Sequence, residues 1–326
     1  MLLKYKKIIS FLPSATEILF ELGFNDIVKG VTHACTYPTE AMSKPKIVKC
    51  SIDIDKLNSI EIDEKIKELY SNNKKLFVLD TVRIKEIEPD LIISQNICEV
   101  CAPPFENEYD QILKILGYTP KNIILNPQNI NEILNSIIYL GQEIGNEDKA
   151  HQKVKELSDR INYIKKTLKS FQKNSNNNYN NNIHIKRPKI ICLEWISPFY
   201  IAGHWVPQMI EMVDALNGIS KKGSQSKVIS IDEIEEFRPD KIVIMPCGFD
   251  IERTEREAKT ILNNNKRWQS LEAVKMDEIY IVDANSYFSK PSPRVITGIE
   301  IIAKIVYPLI FKELDVPLNS FRKLTQ

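Results

Sequence analysis

The chain has 326 residues, more than the roughly 100–150 typical of one domain, so two domains are the expectation. Its 44 basic and 43 acidic residues leave a formal charge of +1, a balance that points to neither nucleic acid nor a membrane surface as partner. Only 10 glycines occur, with no Gly-x-Gly-x-x-Gly and no P-loop pattern, which argues against a nucleotide held on a glycine-rich turn.

At the start of the chain, the apolar run Ile8–Leu12 is broken by Pro13 and followed by Glu17, without a small-residue cleavage site. It reads as a buried strand rather than an export signal, and no later segment reaches the roughly 18 apolar residues of a membrane span. The expectation is a cytoplasmic protein, with an exported or cell-surface protein as the alternative. In a reducing compartment the six cysteines would be thiols or metal ligands rather than disulfides.

Strand and helix signals then alternate. Lys7–Leu12 is β-rich, and Ser14-Ala-Thr-Glu17 has the form of a capping box for a helix ending at Gly23. Ile27–Val31, Leu76–Leu79, Leu91–Ser94 and Asn122–Leu125 read as further strands, and Phe105–Leu116 as a helix closed by Gly117. The second half repeats the scheme, with strands at Lys189–Glu194, Lys241–Met245 and Glu278–Val282 and helices at Pro207–Leu216 and Ile296–Val306. Such alternation predicts an α/β protein with parallel sheets covered on both faces.

Two segments are alike. Ile87-Glu-Pro-Asp-Leu-Ile-Ile-Ser94 and Phe237-Arg-Pro-Asp-Lys-Ile-Val-Ile244 each place Pro-Asp between a helix end and a strand, and a cysteine follows each, Cys98 or Cys247. This suggests two related halves. Between them, residues 146–173 contain no Gly or Pro and read as one helix of about 40 Å at 1.5 Å per residue. The Asn-rich tract 174–185 reads as a surface loop. The expected organisation is therefore an N-terminal α/β lobe (1–145), a connecting helix (146–173), the loop (174–185) and a C-terminal α/β lobe (186–326).

Ligands of open parallel sheets bind beyond the carboxyl ends of the strands. The residues there are Ser14; His33, Cys35 and Tyr37; Cys98, Glu99 and Cys101; Trp195, His204 and Trp205; Cys247 and Phe249; and Tyr287 and Phe288. Thiols, imidazoles and aromatic planes concentrate in these loops, as a large, flat, metal-containing ligand would require. Other residues read as structural: Glu17 by its capping position, Cys192 inside a strand and Trp268 by packing, while Cys50 stays ambiguous. Cys98-x-x-Cys101 could be a redox pair, half of a zinc site, or two pocket thiols. Cys35, Cys98, Cys101 and His204 form the candidate metal set. No Gly-x-Ser-x-Gly elbow is present, and nothing sets a serine against a histidine, so catalysis is not expected.

Pro13-Ser-Ala-Thr-Glu17, Val28-Lys-Gly-Val31, Tyr37-Pro38, Pro89-Asp-Leu-Ile-Ile93 and Tyr287-Phe-Ser-Lys-Pro-Ser-Pro-Arg294, in that order, resemble the cobalamin-binding and iron-siderophore-binding proteins of ABC importers. Cys98-Glu-Val-Cys101, Leu193-Glu-Trp195, Gly203-His-Trp205 and Pro246-Cys-Gly-Phe-Asp250 resemble the cobalamin-binding subgroup. The resemblance implies two Rossmann-like lobes joined by one long helix, with a corrinoid or related metal chelate in the cleft between them. It implies no catalysis and no required cofactor. Tyr37 would contact the ligand from the first lobe and Tyr287 and Phe288 from the second, with Trp195 and His204 at the entrance. It also implies docking on a permease through an acid seven residues before each Pro-Asp. Asp232 holds that place in the second half, and Val82 in the first. An iron-chelate or haem binder on the same fold, and a thiolate redox protein using Cys98 and Cys101, are the alternatives.

Overall fold

The computed structural model describes residues 4–95, 105–178 and 187–325. The chain divides into two α/β units, one formed by Met1–Pro127 with Asn131–Val154, the other by Gln128–Ile130 with Lys155–Gln326.

The first unit carries a six-stranded sheet of β1 (Ile8–Ser10), β2 (Val28–Thr32), β3 (Lys46–Cys50), β4 (Phe77–Leu79), β5 (Leu91–Ser94) and β6 (Lys121–Ile124), in the order β4-β3-β2-β1-β5-β6. All neighbours are parallel except β3 and β4. The second sheet comprises β7 (Ile190–Ile196), β8 (Phe199–Ile201), β9 (Lys227–Val228), β10 (Lys241–Ile244), β11 (Ile279–Val282) and β12 (Phe321–Lys323), in the order β12-β11-β10-β7-β8-β9. Only the central β7-β10-β11 trio is parallel; β8, β9 and β12 run antiparallel to their neighbours. The sheets are thus mixed, which corrects the all-parallel expectation. The chain turns straight back after Ile196 to form β8 instead of crossing through a helix.

The repeated Pro-Asp has a shared structural cause. The helices Thr81–Ile87 and Ile231–Phe237 both end on a left-handed residue, Glu88 (φ 50°) and Arg238 (φ 51°). A proline then blocks further helix, and the aspartate side chain ties down the chain entering the central strand. Asp90 accepts the backbone N–H groups of Lys6 (2.7 Å) and Lys7 (3.0 Å), just before β1. Asp240 accepts that of Lys189 (2.7 Å), just before β7. In return, the Asp90 and Asp240 amides donate to the carbonyls of Lys7 and Lys189.

Other local expectations change. The first helix is Pro13–Glu21 with Leu12 as its N-cap and no side-chain cap, so Ser14-Ala-Thr-Glu17 is no capping box. Pro13 supplies the helical φ for the first turn itself, which puts Ser14 inside the helix. A true capping box forms at Asn58 and Glu61, opening the helix Ser59–Ser71. The helix expected over Pro207–Leu216 is Val206–Met212, and the chain leaves it through Asp214 at φ 55°.

The long helix is Glu147–Asn178, 32 residues or about 48 Å at 1.5 Å per residue. It continues through Asn174–Asn178, where a loop was expected. The division between units falls within it rather than at its ends. Ala150 packs on Gly141 so closely that a Cβ there would lie 2.4 Å from the Ala150 Cβ. Leu157, Ile161, Ile164 and Leu168, spaced for one helical face, are buried. Arg160 pairs with Glu300 on the helix Val295–Val306 and donates to Thr297 Oγ1 (2.8 Å).

Candidate functional site

In the first unit, the ends of β1 and β2 meet in a buried hydroxyl–thiol chain. Thr16 Oγ1 donates to Ser10 Oγ (3.0 Å), and Cys35 Sγ lies 3.2 Å from Thr16 Oγ1 and 3.3 Å from Thr32 Oγ1. Cys35 is therefore an interior group held by two threonines, not a thiol facing a ligand, and Ser14 is equally buried. His33 follows β2; its ring centroid lies 6.0 Å from that of Phe77. With Lys49, Cys50, Ser51, Ile52, Asp53 and Ile54 it lines a hollow of about 420 Å³ at the end of β3. Tyr37, in the loop beyond His33, is 40% exposed. Cys98, Glu99 and Cys101 lie outside the described residues.

In the second unit, the last rung between β7 and β10 is Leu193 opposite Ile244. Trp195 stands two residues further along, and its ring meets that of Phe249 edge-on at 5.4 Å. The Arg253 guanidinium lies 3.7 Å from the centre of the Phe249 ring. Phe249, Trp205 and Phe288 are each at most 5% exposed, so these three support the site's wall and do not form its surface. Trp205 Nε1 donates to the Phe288 carbonyl (2.9 Å), and the Asn285 amide to the Phe249 carbonyl (3.0 Å). Tyr287 is half-buried, with the Arg294 guanidinium 5.9 Å from its ring centre. The Cys247 amide donates to the Glu194 carbonyl (3.1 Å), and the residue is half-buried beside this wall.

His204 adopts φ 53°, a left-handed conformation uncommon for a residue with a side chain. Its amide donates to Ser224 O (2.6 Å) and its carbonyl accepts from Gly223 N (2.8 Å). Gly203 makes the approach possible, because a Cβ there would lie 2.4 Å from Ser224 O. The His204 Nδ1 donates to Gln128 Oε1 (3.0 Å), which leaves Nε2 as the acceptor nitrogen. Burial holds the imidazole below the usual histidine range, so it is neutral at pH 7. A neutral imidazole fixed through Nδ1 is the form that ligates a transition metal through Nε2. Among the described residues, no three His, Cys, Asp or Glu side chains are grouped to hold a metal ion by themselves. The chemistry on offer is one imidazole donor and an aromatic wall, suited to a metal already held in a chelate.

Sequence reasoning missed Gln128 and Arg253. Both were detectable as polar residues a few positions beyond β6 and β10. Asp232 is exposed on its helix and pairs with Arg267, which also reaches Glu235 (2.6 Å). Val82, its counterpart in the first unit, is 66% exposed. No described helix is long and apolar enough to cross a membrane.

Strand-end loops rich in aromatic groups on two α/β units define a solute-binding protein rather than an enzyme scaffold. Residues 8–286 match the family model of periplasmic binding proteins, and the chain belongs to that family. It is 24% identical over 314 residues to an uncharacterized ABC transporter substrate-binding lipoprotein, YvrC, of Bacillus subtilis (strain 168), covering 94% of this chain and 82% of that one. Among solved structures, the fold is similar to a periplasmic haem-binding protein from Pseudomonas aeruginosa (TM-score 0.70, 14% identity, 99% of each chain). It is also similar to the periplasmic vitamin B12-binding protein BtuF of Vibrio cholerae (TM-score 0.61, 18% identity, 93% of this chain and 96% of that one).

Proposed function

We propose that this chain is the ligand-capturing component of an ABC importer, working outside the cytoplasm without catalysing a reaction, and that its ligand is a planar metal chelate of the corrinoid class. The observation that carries the reading is the neutral His204 imidazole, with Nε2 as acceptor, in the same unit as the Trp195–Phe249 aromatic pair. Aromatic faces suit a broad apolar macrocycle at small entropic cost, and the imidazole suits its metal. The lipoprotein relative and the family replace the expectation of a cytoplasmic protein. Similarity to a haem-binding protein supports iron porphyrin as the second reading.

The experiment is calorimetric titration with cobalamin, cobinamide and haem, followed by visible spectra of the bound ligand in wild type and His204→Ala. One ligand should bind at 1:1, and the alanine variant should alter its metal-dependent bands. Trp195→Ala should weaken binding about 5- to 150-fold, equivalent to about 1–3 kcal/mol of lost aromatic burial. No heat and no spectral change with any of the three sinks the proposal. Identical spectra for the two proteins reduce His204 to a wall residue.

A further inference from the structure

We infer that Arg253 recognises an anionic group on the bound molecule, a carboxylate or a phosphodiester, so that the second unit selects the charged members of the planar-chelate class. This rests on the proposed function above and adds the chemistry of the ligand's side arm.

Arg253 sits in the first turn of the helix Ile251–Leu262, where the helix dipole disfavours a cation. Asp250 caps that turn, its carboxylate accepting the Arg253 amide (2.8 Å). The guanidinium is held against the Phe249 ring at 3.7 Å, and Phe249 is itself wedged against Trp195. At that separation the guanidinium meets the ring with its face. Its N–H donors then spread sideways, in the plane that forks onto a carboxylate or phosphate.

The loop beneath is fixed twice: the Gly248 amide donates to Ser289 Oγ (3.0 Å), and the Phe249 carbonyl accepts from Asn285. Acids further along the helix face other cations. Glu255 pairs with Lys259 (2.9 Å) and Arg322, and Glu252 lies 3.8 Å from Arg322. Arg253 thus brings a cation to the carboxyl edge of β7 and β10, beside the aromatic pair proposed to meet the macrocycle.

An anion could come from either ligand type, as the phosphodiester of a complete corrinoid or the carboxylates of a porphyrin. Two matched pairs separate these sources: cobalamin against cobinamide, which lacks the phosphodiester, and iron protoporphyrin against its dimethyl ester. Each is titrated into wild type and into Arg253→Gln, with near-ultraviolet circular dichroism to confirm that the variant is folded. The expected result is a loss of about tenfold or more for the anionic member of the bound pair, as befits a charge-assisted hydrogen bond, and under about threefold for its uncharged counterpart. Arg253→Lys should recover only part of the loss, since lysine keeps the charge without the fork. Equal weakening of both members would make Arg253 a packing residue on Phe249 and overturn the inference while leaving the planar-chelate reading intact. No binding of any of the four to wild type overturns that reading, and this inference with it.

Discussion

Asp90 and Asp240 occupy matching places in the two units but do unequal work, and removing each carboxylate should show it. Asp90 is half-buried and accepts two backbone N–H groups, at 2.7 and 3.0 Å. Asp240 is exposed and accepts one, at 2.7 Å. A hydrogen bond to a charged group contributes about 1.5–3 kcal/mol, toward the low end where water competes. Asp90→Ala should therefore cost about 2–3 kcal/mol and Asp240→Ala about 1 kcal/mol, because the reciprocal main-chain bonds to Lys7 and Lys189 survive both changes. Urea unfolding can follow the units separately. All three tryptophans, at 195, 205 and 268, belong to the second unit, so their fluorescence reports on that unit, whereas far-ultraviolet circular dichroism sees both. Asp240→Ala should move the fluorescence transition slightly, and Asp90→Ala should move the dichroism transition more. If Asp90→Ala costs under about 0.5 kcal/mol, or Asp240→Ala the larger amount, then the carboxylates do not anchor the central strands and the reasoning fails.

Gly203→Ala would force a Cβ to within 2.4–2.6 Å of main-chain atoms of residues 224–226, which should cost about 1–3 kcal/mol and displace His204. Denaturation gives the first number, and a His204-dependent change in the bound ligand's spectrum reports the second; an unchanged midpoint would contradict the packing. Arg160→Met should destabilise the second unit by about 2–3 kcal/mol by stranding the buried Glu300 carboxylate, discounted because Arg160 keeps a third of its side chain in water. Adding Glu300→Met should recover most of that loss, and a double variant as unstable as the single one would refute the pairing.

Much of the fold was legible because its central strands are dense in β-branched residues and its helices end at unmistakable signals. Leu91–Ser94 was read to the residue, and the repeated Pro-Asp marked two related halves. What escaped lacked a periodic apolar face. β3 buries only Ile47 and Val48 between lysines, and the helix Ser59–Ser71 buries only Ser59 and Ile62, so neither stands out from a polar segment. The antiparallel return to β8 was hidden because Ser197-Pro198 reads as an ordinary break. In the site, the positions of Trp195 and His204 beyond a strand were legible, whereas their supports were not. Gln128 reaches His204 across 76 residues of sequence, and no local pattern encodes such a contact. Aromatic content alone could not separate Trp195, at the surface of the wall, from Trp205, Phe249 and Phe288 within it, because strand-end loops supply both.

The short segment Gln128–Ile130 groups with the second unit, although the chain on both sides of it groups with the first. Its Ile130 amide donates to Gln208 Oε1 (2.8 Å), and its Gln128 side chain accepts from His204. During synthesis these three residues emerge well before the partners they serve, so the first unit can condense around its own sheet while its neighbour waits for sequence still to come. A gene fragment beginning at Lys155 would encode every strand of the second sheet and still lack the carbonyl that fixes the His204 tautomer. The smallest piece able to present that imidazole correctly is therefore not a contiguous stretch of the chain.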